Sequence, residues 1–247
     1  MSSMPQFFVS TSDVNADIIT ISDKQNYRHI VKVLRAKLGE TLLLVDENQT
    51  QYKVVIQSID LDSITTKVVD VLKSNHSLRL NLFLAQAVLK NDAQSMVVQK
   101  STELGVKGII PLITDNCVVK ASVVDTKIDK WQRVANEAVK QCERTDFPKV
   151  DSRKTLKDVL DNSDFSIKIA CVERSQDKTM KDVLRGIKVN ECDKILIIIG
   201  PEGGFSASEL AFLNNRDDVY KVSLGNLILR AETAVITSIS NVIYELE

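Results

Sequence analysis

The sequence predicts an α/β protein in two parts, a small N-terminal β-barrel followed by a larger domain built on a parallel sheet. Residues 5–73 carry short runs of β-branched and apolar residues, and from residue 78 onward apolar strands alternate with helical stretches. Four of the eight glycines lie within the stretch 200–225. Regular alternation of strands and helices is typical of a parallel sheet covered by helices on both faces.

The N-terminal part contains short β-segments around one helical stretch. The predicted strands are 6–10, 17–22, 41–46, 52–60 and 64–72, and the predicted helix is 23–35. β-Branched runs bounded by polar turn residues favour a small β-barrel. Polar residues at 72–78 interrupt the pattern, so we place the domain boundary between residues 73 and 74.

The C-terminal part is predicted to alternate strands with helices. The predicted strands are 78–88, 107–113, 166–173, 194–200 and 219–225. The predicted helices are 92–105, 127–144, 177–186, 206–215 and 232–247.

Charge and composition exclude several classes of protein. The chain has 32 Lys and Arg residues against 33 Asp and Glu, so it lacks the positive field of a non-specific nucleic-acid coat protein. No apolar run approaches the roughly 20 residues that cross a bilayer, and the first residues lack a signal-peptide pattern, so we expect a cytoplasmic protein without membrane contact. Four scattered cysteines and two histidines predict reduced cysteines and no metal site.

The segment 194–210 reads KILIIIGPEGGFSASEL. Its apolar run predicts a strand buried on both faces, and the glycines follow at the end where ligands of open α/β sheets bind. Ser206 and Glu209 form a capping box that starts the next helix. Such a strand-to-helix turn often binds phosphate, but the loop matches neither common phosphate-binding motif, and Glu202 places a negative charge there. A neutral or cationic ligand fits better.

A second loop, 222–234, repeats this arrangement and reads VSLGNLILRAETA. Gly225 follows a predicted strand, and Arg230 lies at the entry to the last helix. In one interpretation the apolar residues 227–229 wall a slot for a flat ring. In the other, Ile228 and Leu229 belong to the core and Arg230 pairs with a neighbouring acid.

Together the two loops resemble a known signature. GPEGGFSASE and LGNLILRAETA are similar to the C-terminal motifs of the SPOUT class of S-adenosylmethionine-dependent RNA methyltransferases. Within that class they resemble the RsmE family, which methylates N3 of a uridine in 16S (small-subunit) ribosomal RNA. Three further segments look like the same family: QKSTELGV at 99–106, EAVKQCER at 137–144 and RHIVKVLRAKLGE at 28–40. The match runs through nearly the whole chain in order.

The resemblance implies a SPOUT-type trefoil-knotted parallel-sheet domain over 74–247 and a PUA-like, RNA-binding β-barrel over 1–73. It also implies a homodimer whose interface lies beside the cofactor sites. The implied cofactor is S-adenosylmethionine. The residues implied to bind it are Cys171, Val172, Glu173, Ile199, Gly200, Glu202, Gly203, Leu224, Gly225, Leu229 and Thr233.

The resemblance also assigns the substrate side of the site. Arg230 matches an arginine implied to act near the substrate base. Glu232 is a second catalytic candidate, and its alternative role is that of a first-turn acid that complements the helix dipole. The basic residues expected to contact RNA are Arg28, Lys32, Arg35, Arg144 and Arg153. The alternative for these is an ordinary solvated surface.

Two positions depart from the family pattern. Gln6 stands where the family often has an arginine, which weakens the case for an RNA-contacting N-terminal arm. The segment 46–51 replaces the usual glycine turn of a hairpin.

The expected function is therefore uridine N3 methylation of small-subunit ribosomal RNA. The alternatives are a SPOUT methyltransferase that acts on another RNA, such as transfer RNA, and a non-catalytic knotted RNA-binding or ribosome-assembly factor.

Overall fold

A computed structural model of the chain describes residues 4–72, 77–173 and 178–247. The chain divides into two compact units. The first comprises residues 1–77 together with Glu143–Asp146, and the second comprises residues 78–142 and 147–247. The expected boundary between residues 73 and 74 lies outside the described residues.

The first unit is built on a mixed sheet. Its strands are β1 (Gln6–Phe8), β2 (Val14–Asn15), β3 (Ile18–Ile21), β4 (Thr41–Val45), β5 (Gln51–Ile59) and β6 (Ile64–Leu72). They lie in the order β1-β4-β5-β6-β3-β2, with β1 parallel to β4 and the other neighbours antiparallel. All five predicted N-terminal strands are therefore present.

One face of this sheet carries the core of the first unit. Leu44, Val54 and Ile64 are fully buried in it. Helix α1 (Lys24–Arg28) begins at Asp23, whose carboxylate accepts from the Asn26 N–H at 2.8 Å, and continues into a π-helical segment, His29–Val33. A 3-10 helical turn also spans Thr11–Asp13. The predicted helix over 23–35 is confirmed in this shorter form.

The hairpin between β4 and β5 closes without a glycine. Asp46 Oδ1 accepts from the N–H groups of Asn48 and Thr50, both at 2.9 Å. Gln49 adopts a left-handed backbone with φ of +63°. Aspartate side chains commonly stabilise turns in this way. The Asp46 carboxylate therefore stabilises this hairpin turn in the absence of a glycine.

The second unit is built on a parallel sheet. Its strands are β7 (Asn81–Ala87), β8 (Gly108–Ile113), β9 (Lys149–Val150), β10 (Lys154–Thr155), β11 (Ile167–Cys171), β12 (Lys178–Thr179), β13 (Lys194–Ile199) and β14 (Val219–Ser223). The order is β10-β8-β7-β13-β11-β14-β12, with β9 paired to β8, and every described strand pair is parallel. The α/β parallel-sheet prediction is confirmed, whereas the trefoil knot stays a prediction.

Helices cover both faces of this sheet. They are α2 (Asn91–Glu103), α3 (Ala121–Asp125), α4 (Ile128–Gln141), α5 (Leu156–Leu160), α6 (Met180–Gly186), α7 (Ala207–Asn214) and α8 (Ala231–Leu246). On one face α2, α3, α4, α6 and α8 pack over Ile195, Ile197 and Ile199, and on the other α5 and α7 pack over Leu196 and Ile198. Strand β13 is therefore buried on both faces, as its apolar run predicts.

The structure corrects several predicted helix ends and adds elements. Helix α4 ends at Gln141, three residues before the predicted end, since Glu143 adopts a left-handed backbone with φ of +60°. The predicted helix over 177–186 begins at Met180 after a capping box of Thr179 and Asp182, and residue 177 lies outside the described residues. Helices α3 and α5 and the short strands β2, β9, β10 and β12 were not predicted, because elements of two to five residues carry little periodicity.

Candidate active site

The carboxyl ends of three neighbouring strands meet at one edge of the parallel sheet. Cys171 at the end of β11 lies opposite Ile199 of β13 on one side and Val222 of β14 on the other. Because the three strands run in the same direction, the loops that follow them leave the sheet at the same edge. Both glycine-containing segments of the sequence are among these loops.

A cavity of about 530 Å³ lies among the three loops, within the size range of small-molecule sites. The structure brings most of the residues expected to bind a cofactor to its walls. These are Cys171, Val172, Glu173, Ile199, Gly200, Gly203, Leu224, Gly225 and Leu229. Glu202 and Thr233 are exposed and lie outside the lining.

Six further residues line the cavity that were not expected from the sequence to belong to the site. They are Pro201, Phe205, Leu210, Ser223, Asn226 and Ala234. Phe205 could have been predicted from the sequence, because an aromatic residue directly after the glycines is well placed to line the same site. A Cβ on Gly200 would lie 3.2 Å from the Phe205 ring, so the glycine lets this ring pack closely against the loop.

The second loop depends on a backbone conformation that L side chains rarely adopt. Gly225 has φ of +127°, and open space surrounds the position that its Cβ would take. The Ser223 side chain bridges this turn, since its hydroxyl donates to the Gly225 carbonyl and accepts from the Gly225 N–H. Glycine is therefore favoured at position 225 by its backbone conformation and not by lack of space for a side chain.

The first loop enters helix α7 through the predicted capping box, which is confirmed. Ser206 Oγ accepts from the Glu209 N–H at 3.2 Å, and Glu209 Oε2 accepts from the Ser206 N–H at 2.9 Å. Such reciprocal bonds satisfy two backbone donors at a helix start and fix the direction in which the chain enters it.

The apolar residues of the second loop lie on the surface beside the cavity. Leu227 is 81% exposed and Ile228 is 59% exposed, and both line the cavity. The interpretation that Ile228 belongs to the core is therefore wrong. The cavity wall at 227–229 presents apolar side chains to whatever molecule occupies the site.

Arg230 and Glu232 flank the start of helix α8. Arg230 is the exposed N-cap residue and directly follows Leu229, which lines the cavity. Among the described residues Arg230 makes no ion pair, so the expected alternative of pairing with a neighbouring acid is not observed there. Glu232 lies in the first turn of α8, where a carboxylate is favourable to the helix dipole.

The Cys171 thiol is a neutral wall of the cavity. Burial raises its pKa to about 12, and a hydrogen bond with Ser238 offsets only part of that effect. A thiol becomes nucleophilic as its thiolate, and this one stays protonated at physiological pH. Cys171 therefore contributes shape rather than covalent chemistry.

The residues expected to contact RNA fall into two groups. Three of them, Arg28, Lys32 and Arg35, are exposed on or just after the helical segment of the first unit. Arg153 is also exposed, and its Nε lies 2.9 Å from the Asp125 carboxylate. Arg144 is only 3% exposed, and its guanidinium pairs with Asp146 at 2.9 Å. The expectation that Arg144 contacts RNA is wrong, because the side chain is buried in an ion pair.

The described residues contain neither a metal-binding cluster nor a membrane-spanning helix. No group of three or more His, Cys, Asp and Glu side chains there is arranged to hold a metal ion. In the same residues, no helix is both long and apolar enough to cross a bilayer.

A cavity at the carboxyl ends of parallel strands, formed by glycine loops, is typical of an α/β protein that binds a small molecule. The chain belongs to the RNA methyltransferase family, whose domain model matches residues 76–243, and the family's PUA domain model matches residues 21–69. The resemblance to the RsmE family is confirmed by relatives named ribosomal RNA small subunit methyltransferase E. The Rickettsia conorii protein is 30% identical over 91% of this chain and 88% of its own length. The Bacillus subtilis protein is 28% identical over 90% and 89%.

Solved structures of similar proteins share the fold over almost the full length. A Legionella pneumophila protein solved with bound S-adenosylmethionine is 28% identical, covers 97% of both chains and has a TM-score of 0.83. The Neisseria gonorrhoeae ribosomal RNA small subunit methyltransferase E, also bound to S-adenosylmethionine, is 25% identical, covers 97% of this chain and 96% of its own, and has a TM-score of 0.79.

Proposed function

We propose that this protein uses S-adenosylmethionine to methylate N3 of a uridine in small-subunit (16S) ribosomal RNA. The observation that carries the proposal is the cavity at the ends of β11, β13 and β14, formed by two glycine loops. The names of the relatives, ribosomal RNA small subunit methyltransferase E, support the substrate.

The residues of the cavity fit the proposed cofactor. Its adenine ring requires apolar contact and hydrogen bonds to its edge, and the loops offer Leu227 and Ile228 beside accessible backbone at Gly203 and Gly225. The carboxylate of Glu173 belongs to the lining and is complementary to the positive charges of the cofactor. When bound, S-adenosylmethionine supplies an electrophilic methyl group on a positively charged sulfur.

Arg230 is the proposed catalytic residue on the substrate side. Uracil N3 must lose its proton to accept a methyl group, and negative charge then spreads onto the carbonyl oxygens of the ring. Arg230 follows the lining residue Leu229, and its guanidinium would stabilise that charge, an effect worth roughly 3 kcal/mol for one well-placed donor. Glu232 retains a candidate role as proton acceptor, while its position in the first turn of α8 also fits a purely structural role.

The protonated Cys171 thiol complements this chemistry. A thiolate at the wall of the cavity would compete with the RNA base as a nucleophile for the methyl group. Because burial raises the pKa of Cys171 to about 12, the protein presents a thiol that does not compete.

We further propose that the first unit holds the RNA and that the enzyme is a cytoplasmic homodimer. Arg28, Lys32 and Arg35 lie on one exposed segment of that unit, and cations grouped in this way bind phosphate groups. Leu227 and Ile228 are exposed beside the cavity, and Tyr244 of α8 is 89% exposed. Exposed apolar and aromatic side chains of this kind support contact with a second copy of the chain.

Isothermal titration calorimetry with S-adenosylmethionine tests the cofactor assignment directly. We expect saturable binding with one site per chain and competition by S-adenosylhomocysteine, which lacks the methyl group. A protein that binds 16S ribosomal RNA but neither of these ligands would favour the non-catalytic assembly factor instead.

A further inference from the structure

The first glycine loop is held from outside by the loop that follows strand β8. Asn116 Nδ2 donates to the Gly204 carbonyl at 3.0 Å and to the Gly203 carbonyl at 3.4 Å. The Asn116 side chain also fills the space beside Gly203, where an added Cβ would lie 3.4 Å from Asn116 Cβ. The two carbonyls that face Asn116 belong to residues of the cavity wall, whereas Asn116 itself lies outside the lining.

The neighbouring residue, Asp115, holds the far end of the same loop. Its carboxylate accepts from the hydroxyl groups of Ser206 at 2.5 Å and Ser208 at 3.0 Å. Its main-chain N–H donates to Glu209 Oε1 at 3.0 Å, on the carboxylate that caps helix α7. Hydrogen bonds from Ser206 and then Ser208 hold the pKa of Asp115 below its usual value, so the group is ionised at neutral pH.

The glycine loop has little internal support of its own. Residues 200–205 lie outside strands and helices, and within them the turn is closed by the Gly204 N–H, which donates to the Pro201 carbonyl at 2.9 Å. Gly204 has φ of +69°, and glycines lose more conformational freedom on ordering than other residues. The contacts from Asp115 and Asn116 therefore fix the path of a segment that would otherwise sample many conformations.

We propose that Asp115 and Asn116 are positioning residues that set the first glycine loop for cofactor binding. The proposal rests on the proposed function for the identity of the ligand, S-adenosylmethionine. By directing the carbonyls of Gly203 and Gly204 toward Asn116, the pair orders one cavity wall before the ligand arrives. A site that is ordered in advance binds more tightly, because less conformational entropy is lost on binding.

The decisive variant is Asn116→Asp, which keeps the size of the side chain but replaces the donor with an acceptor. A carboxylate oxygen would then face two carbonyl oxygens, and the loop would be pushed away rather than held. The matched control is Asn162→Asp, at a half-buried position in a turn. The Asn162 side-chain oxygen accepts from the Asp164 N–H, and an aspartate retains that bond.

Calorimetry with S-adenosylmethionine and thermal melts are measured on wild type and both variants. We expect Asn116→Asp to bind about tenfold more weakly and the control to bind like wild type. Both melting temperatures should stay within about 3 °C of wild type, since the contacts lie on the surface. In methyl-transfer assays Asn116→Asp should raise the KM for the cofactor and leave kcat at saturating cofactor near the wild-type value.

A second pair of variants tests Asp115. Asp115→Ala removes the carboxylate to which the Ser206 and Ser208 hydroxyl groups donate, and it should weaken cofactor binding several-fold. Asp115→Asn keeps an acceptor oxygen and should recover most of the affinity. Unchanged affinity in Asn116→Asp and Asp115→Ala would overturn the positioning role while leaving the proposed function intact. A wild-type protein that fails to bind the cofactor would contradict the proposed function and this inference together.

Discussion

Lys168 Nζ lies 2.9 Å from Asp218 Oδ2 and also donates to the Leu160 carbonyl. The lysine side chain is 6% exposed, and the aspartate side chain is 49% exposed. Lys168 is on β11 and Asp218 directly precedes β14, so this bond joins the two strands whose opposite ends form the cavity. The pair adds a side-chain link to the backbone pairing of β11 with β14.

Removing the aspartate should destabilise the protein more than removing the lysine. Asp218→Ala leaves a buried ammonium without its counter-charge and should cost about 2 kcal/mol of unfolding free energy, less than a fully buried pair because Asp218 is half in water. Lys168→Met removes the buried charge and should change stability by less than about 1 kcal/mol. Urea denaturation at pH 7 measures both, and the reverse ranking would contradict this account.

The same pair predicts how stability depends on pH. Hydrogen bonds from Arg216 and then Lys168 hold the pKa of Asp218 well below its usual value of 3.8. A carboxyl whose pKa is lower in the folded state stabilises the protein above its unfolded pKa and loses that contribution as the pH falls. Wild type should therefore lose stability as the pH drops below about 4, with a shallower loss in Asp218→Asn.

Gly225→Val should impair cofactor binding without unfolding the protein. The φ of +127° is strained for valine, although open space surrounds the Cβ position. Relaxation of that strain would move the loop, and we expect cofactor affinity to fall at least about tenfold. Gly186→Ala, at the end of α6 and also in open space, is the control and should bind normally. If calorimetry gave Gly225→Val the same cofactor affinity as wild type, the second loop would have no role in cofactor binding.

Arg230→Ala should separate binding from turnover. The side chain is exposed and makes no ion pair among the described residues, so the protein should fold and bind the cofactor as wild type does. The single-turnover rate of methyl transfer should fall by about 100-fold, the effect typical of losing one donor to a developing negative charge. Arg230→Lys keeps the charge and should recover part of the rate. An unchanged rate in Arg230→Ala would exclude the residue from the mechanism.

The cations of the first unit should set the salt dependence of RNA binding. Arg28→Gln combined with Lys32→Gln should reduce the slope of log affinity against log salt by about 2, one for each lost phosphate contact. Lys157→Gln is the control, since that exposed lysine already pairs with Asp161 on the second unit. Equal slopes for wild type and the double variant would place RNA elsewhere on the protein.

Local features of the site were predictable from the sequence. The buried run of β13, the glycines at its end and the capping box of Ser206 and Glu209 each have a short-range signature, and the structure contains all three. The resemblance to a known family assigned eleven residues to the cofactor site, and nine of them line the cavity.

Features that depend on residues distant in the chain were not predictable. Asn116 contacts Gly203 and Gly204 across 87 and 88 positions, and nothing in its own segment indicates that contact. Arg144 lies in a charged stretch typical of a solvated surface, yet it is buried, and the side chain of Gln6, 138 positions away, donates to its carbonyl. Charge patterns show which residues can form ion pairs, whereas burial is decided by tertiary packing.

The most direct test of the proposed function is methyl transfer to ribosomal RNA. Small ribosomal subunits from a strain that lacks the gene are incubated with the protein and with S-adenosylmethionine that carries a tritiated methyl group. Nuclease digestion and mass spectrometry then locate the label. We expect a single labelled nucleoside, 3-methyluridine, in 16S ribosomal RNA and strongly reduced label with Arg230→Ala. Label on transfer RNA alone, on a different atom of the base, or on no RNA would contradict the account.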